Sequence, residues 1–165
     1  VVTQMSNFGL EKAMTENGIK LVKTNVGDKY VVEEMKKNGY NLGGEPSGHI
    51  IFLDHTTTGD GCIAALSVLA VMKQMKKSLS HLNDFIKDVP QVLINCRVKN
   101  RTALKEIKGY AELVKQVEAE LNGEGRIFVR YSGTEPLIRV LVEGFDKYKI
   151  TEMAEKLAHF LEKAV

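Results

Sequence analysis

Midway along the chain, at Lys87-Asp88-Val89-Pro90, one alternation of strand and helix patterns stops and another begins. Proline has no amide hydrogen and biases the residue before it toward extended backbone, so neither pattern runs through this point. Upstream, Val1-Val2-Thr3 reads as a strand, residues 9–16 as a helix ended by Asn17-Gly18, and residues 19–25 as a second strand. The rhythm continues with a helix over 28–37 stopped by Asn38-Gly39, and with short strands at 40–42 and 49–53. A long apolar helix follows from Thr58-Gly59-Asp60-Gly61 to about residue 77, with Thr58 or Asp60 as its cap, and a shorter one over 79–86. This repetition predicts an α/β domain with a mostly parallel sheet over residues 1–86, and residues 87–90 form a linker. Downstream, a strand at 91–98 and a helix at 102–121 precede two strands, 126–131 and 137–142, joined by a tight loop. A helix over 147–164 closes the chain. The expected result over 91–165 is a small α+β domain with an antiparallel sheet.

The chain has 165 residues, of which 44% are hydrophobic and 27% charged, a balance that suits packed cores rather than disorder. Its longest apolar run, residues 62–72, is interrupted by Ser67 and is much shorter than the roughly 20 residues needed to span a bilayer, so no membrane role is expected. A net charge of +2 excludes a polyanion such as nucleic acid as the expected partner and leaves an anionic small molecule open. The first residues, Val1-Val2-Thr3-Gln4-Met5, have neither the basic flank nor the apolar core of a signal peptide. A cytoplasmic location and an origin in a longer chain are the expectations. Cys62 and Cys96 sit in apolar stretches without C-x-x-C spacing and read as two buried thiols, not as a disulfide or a zinc site. Asn100-Arg101-Thr102 matches a glycosylation pattern but reads as the start of the following helix.

Two loops carry chemistry. Gly43-Gly44-Glu45-Pro46-Ser47-Gly48-His49 places three glycines in seven residues, which allows tight turning and close approach of a ligand to the backbone. Glu45 can accept from two neighbouring sugar hydroxyls, and Ser47, two positions on, can donate and accept, so the pair suits a vicinal diol. The same residues also fit a plain hairpin whose Glu faces water, and His49 fits hydrogen-bonded packing as well as an acid–base role. In Arg130-Tyr131-Ser132-Gly133-Thr134-Glu135-Pro136, amides around Gly133 could form an anion-holding nest, two hydroxyls add donors, and Arg130 offers a planar fork to phosphate oxygens. Arg139 shares a strand face with Leu137 and Leu141, an odd place for a guanidinium without an anionic partner. The alternative is a hairpin turn whose Arg pairs with Glu135 or Glu143.

Gly44-Glu45-Pro46-Ser47-Gly48-His49 resembles the sugar-binding loop of the α-D-phosphohexomutases, and Arg130 to Pro136 resembles their phosphate-binding loop, in the same order and with a long helix between. Val26-Gly27-Asp28-Lys29-Tyr30-Val31, Asn41-Leu42-Gly43-Gly44-Glu45 and Ser132-Gly133-Thr134-Glu135-Pro136 resemble the branch that acts on glucosamine phosphates. Tyr131 departs from that pattern, which has proline there. The resemblance implies a four-domain enzyme, of which this chain would hold the later part of the three-layer third domain and the whole fourth domain. It implies interconversion of glucosamine 6-phosphate and glucosamine 1-phosphate through a phosphoserine and a glucosamine 1,6-bisphosphate intermediate, with Mg2+. Gly44, Glu45, Ser47, Gly48 and His49 would hold the sugar, with His49 a weak candidate for acid–base work. Arg130, Ser132, Gly133 and Thr134 would hold the phosphate, helped by Arg139. No T-A-S-H-N-P-like nucleophile loop or D-G-D-x-D-R-like metal loop occurs in these residues, so Mg2+ and the nucleophile are expected in N-terminal domains of the same enzyme, and this chain alone is expected to be inactive. A homodimer is left open. So are two other readings, a sibling phosphomannomutase or phosphoglucomutase and a non-catalytic sugar-phosphate-binding module.

Overall fold

The computed structural model describes all 165 residues, which divide into two units, Val1–Asp88 and Val89–Val165. In the first unit, β1 (Val2–Thr3), β2 (Lys23–Thr24), β3 (Leu42–Gly44) and β4 (Ile50–Phe52) form one sheet in the order β2-β1-β3-β4. β1 pairs parallel with β2 and β3, and only the β3–β4 hairpin is antiparallel, as expected of a mostly parallel sheet. Helices α1 (Phe8–Glu16) and α2 (Asp28–Asn38) provide the crossovers that parallel pairing requires. Val31 and Met35 of α2 pack with Ile51 of β4 in a small core in which all three are fully buried. The strand expected over 19–25 shortens to two residues, because β1 offers only two residues to pair with.

The long helix α3 (Gly61–Met75) begins at Asp60, whose side chain accepts the Ile63 amide at 2.9 Å, so Asp60 rather than Thr58 is the cap. Of its fifteen residues only Ala64 is buried, while Leu66, Leu69, Val71 and Met75 are exposed. A single turn of helix, α4 (Leu79–Leu82), is all that forms of the helix expected over 79–86. No helix is long and apolar enough to cross a membrane.

The second unit is a three-stranded antiparallel sheet of β5 (Gln91–Arg97), β6 (Gly125–Tyr131) and β7 (Leu137–Gly144) in the order β5-β7-β6. Helices α5 (Tyr110–Leu121) and α6 (Lys147–Ala164) complete it. Along α6, Ile150, Met153, Ala154, Leu157, Ala158 and Leu161 are buried, a stripe at helical spacing. It packs against Cys96, Ile138, Val140 and Val142 of the sheet. The helix expected over 102–121 is broken. Residues Leu104–Glu106 form a 3-10 turn, Ile107 is extended and buried, and Gly109, at φ 86°, starts α5. Ile107 gains more by entering the core than by extending a helix along the surface, and glycine makes the left-handed step at little cost.

Candidate functional site

The sugar-loop residues lie at the tip of the β3–β4 hairpin. The Gly48 amide donates to the Glu45 carbonyl at 3.1 Å, closing a turn with Pro46 second and Gly48 fourth, and Glu45 and His49 pair again where the amide of Glu45 meets the carbonyl of His49 at 3.0 Å. Gly48 has φ 97°, which side-chain-bearing residues rarely adopt, so glycine is required there by backbone geometry alone. This turn gathers three candidate side chains. Ser47 Oγ lies 2.8 Å from His49 Nδ1, and Glu45 Oε1 lies 3.3 Å from the same nitrogen. The Glu45 side chain is 11% exposed against 52% for His49, so Glu45 does not simply face water. It lines a cleft of about 400 Å³ with Gly44, Pro46, Ser6, Asn7 and Asp88.

In the second unit, Arg130 and Arg139 are direct partners across the β6–β7 ladder. Burial lowers the Arg130 pKa, and the neighbouring Arg139 charge lowers it further. An anion here would relieve both costs. Arg139 gives one amino group to Glu135 Oε2 at 3.0 Å, but its Nε, like that of Arg130, is buried with no acceptor. Glu143 is fully buried and paired with Arg126 instead. Each of these two buried guanidinium nitrogens is a donor without an acceptor, which costs about 1–3 kcal/mol or more.

Ser132 through Pro136 connect these strands. The Ser132 amide donates to Leu137 at 2.8 Å, and the Ser132 hydroxyl accepts the Glu135 amide at 3.3 Å. The amides of Gly133 and Thr134 donate to no protein acceptor, and both residues are exposed. The expected nest needs correction at Gly133, whose φ is not positive. A Cβ at this position would meet nothing within 4 Å, so packing does not require glycine there. Arg101 and the Tyr131 side chain make further contacts that fix this loop. Arg101 Nη2 donates to the Ser132 carbonyl at 2.7 Å and the Glu135 carbonyl at 3.3 Å, and the Tyr131 hydroxyl donates to the Thr102 carbonyl at 2.6 Å. For Arg101 the local pattern carries no signal of this contact, because its position reads as the start of a helix that forms only later.

The expectation of two buried thiols also needs correction. Cys96 is buried on β5, but Cys62 is exposed near the start of α3, and both are unpaired. The residues present do not form a magnesium site. No three His, Cys, Asp or Glu side chains gather to hold a metal, and Asp60 is engaged in capping α3.

Residues 1–89 match the family model for phosphoglucomutase/phosphomannomutase, alpha/beta/alpha domain III, and residues 93–160 match the model for the C-terminal domain of the same proteins. The phosphoglucosamine mutase of Bdellovibrio bacteriovorus is 71% identical over 163 residues, which are 99% of this chain but 36% of that protein. The chain therefore spans little more than a third of that relative's length. Aspergillus fumigatus N-acetylphosphoglucosamine mutase in complex with glucose 1,6-bisphosphate has a TM-score of 0.78 at 20% identity, over 99% of this chain and 38% of its own. The same enzyme in complex with GlcNAc-6P and magnesium has a TM-score of 0.76 at 19% identity over the same shares. At these identities the solved structures establish the shared fold. The chain belongs to the phosphoglucomutase/phosphomannomutase family, with its two units corresponding to the third and the C-terminal domains.

Proposed function

We propose that this chain is the sugar-holding and phosphate-holding portion of an enzyme that interconverts glucosamine 6-phosphate and glucosamine 1-phosphate. The observation that carries the phosphate assignment is the pair Arg130 and Arg139, two guanidinium groups side by side with unpartnered buried Nε atoms, next to the unclaimed amides of Gly133 and Thr134. Fixed cations and oriented amides suit a tetrahedral oxyanion. The high identity to a phosphoglucosamine mutase favours the amino sugar over its hexose siblings.

In this reading Glu45 accepts from two adjacent sugar hydroxyls and Ser47 completes their hydrogen bonding, while the Arg130 loop grips the phosphate that is not reacting. Such contacts suit a bisphosphate intermediate that must bind in two orientations, because neither grip involves the transferred group. Phosphoryl transfer asks a protein chiefly for positioning and charge stabilisation, and these residues would contribute the first. Magnesium, which would neutralise phosphoryl charge, is assigned to residues outside this chain.

Titration of this chain with inorganic phosphate and with glucosamine 6-phosphate should shift amide resonances at residues 130–134. Arg130→Ala should remove most of that binding, whereas Lys147→Ala on α6 should leave it intact. Shifts spread evenly over basic residues would reduce the loop to a hairpin turn. Assay of the longer protein that carries this chain should give faster turnover of glucosamine 6-phosphate than of mannose or glucose 6-phosphate, and the reverse order would move the protein to a sibling branch.

A further inference from the structure

We propose that Arg101, together with the Tyr131 hydroxyl, is a positioning device that aims the Gly133 amide of the anion-holding loop. The inference deepens the phosphate reading of that loop and rests on it. The segment after β5 meets the loop at three places. The Val98 amide donates to the Pro136 carbonyl at 3.1 Å, extending the β5–β7 ladder beyond the end of β5. Arg101 Nη2 bridges the carbonyls of Ser132 and Glu135, at 2.7 and 3.3 Å. Tyr131, which enters the loop, donates its hydroxyl back to the Thr102 carbonyl at 2.6 Å.

Peptide geometry converts these contacts into an orientation. Every peptide bond here is trans, and in a planar trans peptide the carbonyl and the following amide hydrogen point in opposite directions. Arg101 holds the Ser132 carbonyl, so the Gly133 amide in the same peptide plane is turned away from Arg101 and left free of protein acceptors. At the other end of the loop the Glu135 carbonyl also accepts from the Leu137 amide at 2.9 Å, so Arg101 ties both sides of the exposed Gly133-Thr134 step to one point. Tyr131 adds a second anchor. Its ring packs against the unit's core, and the Arg101 guanidinium lies 5.9 Å from its centroid, within range of a cation–π contact. Arg101 therefore acts on the ligand through the backbone, and it is a positioning residue rather than a catalytic one. Pre-orienting a donor removes the cost of ordering it on binding, which raises affinity without a new ligand contact.

Three variants of the full 165-residue chain test this: Arg101→Ala, Tyr131→Phe, and Lys105→Ala as a charge control on the same segment, each titrated with inorganic phosphate while amide shifts are followed. Arg101→Ala and Tyr131→Phe are each expected to weaken phosphate binding about 3- to 10-fold, the effect of one oriented hydrogen bond. Both should also speed hydrogen exchange at Ser132 and Leu137, whose amides are hydrogen-bonded at the two ends of the loop, with Lys105→Ala close to the parent chain in both measurements. Tyr131→Phe removes no charge and keeps the ring, so a loss there separates bracing from electrostatic attraction. If the parent chain binds phosphate and both variants bind it equally well with unchanged exchange, the brace is overturned and the phosphate reading stands. If Arg101→Ala and Lys105→Ala lose affinity alike and Tyr131→Phe loses none, Arg101 contributes only charge and the brace is again overturned. If the parent chain shows no phosphate shifts at the loop, the phosphate reading itself falls, and the brace with it.

Discussion

Cys96 has none of its surface exposed, and burial, with a smaller push from the Glu162 carboxylate, raises its thiol pKa to about 11. At pH 8 roughly one molecule in a thousand then carries the thiolate, the form that reacts. Cys62 is exposed on α3. Treatment of the native chain with a thiol-specific reagent at pH 8 should therefore modify one cysteine quickly, identified as Cys62 by peptide mapping, and Cys96 only after denaturation. Rapid modification of both would contradict the burial of Cys96. The same contrast between similar side chains holds for the arginines of the second sheet. Arg126 neutralises the fully buried Glu143, Arg139 divides its donors between Glu135 and an unmet Nε, and Arg130 has no protein partner for its buried Nε. One residue type thus serves as structural counter-ion at one end of β6 and as candidate ligand grip at the other.

Helices α3 and α6 are both rich in apolar residues, yet they differ in what covers them. On α6 the apolar stripe is buried against β5 and β7, with Leu157 and Leu161 fully enclosed. On α3 Leu66 is 67% exposed. Leu157→Ala should destabilise the second unit by about 2–5 kcal/mol, the range for a large-to-small change in a packed core, whereas Leu66→Ala should change stability by about 0.5 kcal/mol or less. Urea unfolding of this chain followed by circular dichroism measures both, and equal losses would mean that α3 is covered. The β3–β4 hairpin shows the same logic in a turn, where Pro46 and Gly48 satisfy local geometry while Glu45 is turned into a cleft.

The two units differ in how completely they enclose a core. In Val89–Val165 the buried cluster runs from Cys96 to Leu161 and includes residues of β5, β7 and both long helices, with Ile127 and Val129 of β6 packed against it. In Val1–Asp88 the fully buried apolar cluster consists of Val31, Met35 and Ile51. Val89–Val165 produced alone should give a single cooperative urea transition, marginal in stability as small domains are, with the phosphate-induced shifts of the longer chain retained because Arg101, Arg130, Arg139 and the loop all lie within it. A broad, non-cooperative melt of that fragment would show that its core depends on residues outside it.

Much of this architecture was legible along the chain because it rests on local periodicity and turn chemistry. The spacing of apolar residues over 147–164 defines α6 to its last turn, and the β-α-β rhythm before Pro90 predicts the mostly parallel pairing of the first sheet. The Pro46–Gly48 turn and a helix cap at Thr58 or Asp60 follow from short-range sterics and hydrogen bonding, and the structure selects Asp60. The break at Ile107–Gly109, the opposite burial of Cys62 and Cys96, and the reach of Arg101 to the Ser132 carbonyl were settled only in three dimensions. Each depends on contacts between residues distant in sequence. Burial of one side chain, or the carbonyl that a guanidinium finds, is decided by which surfaces the whole unit brings together, and local propensity is too weak to oppose it.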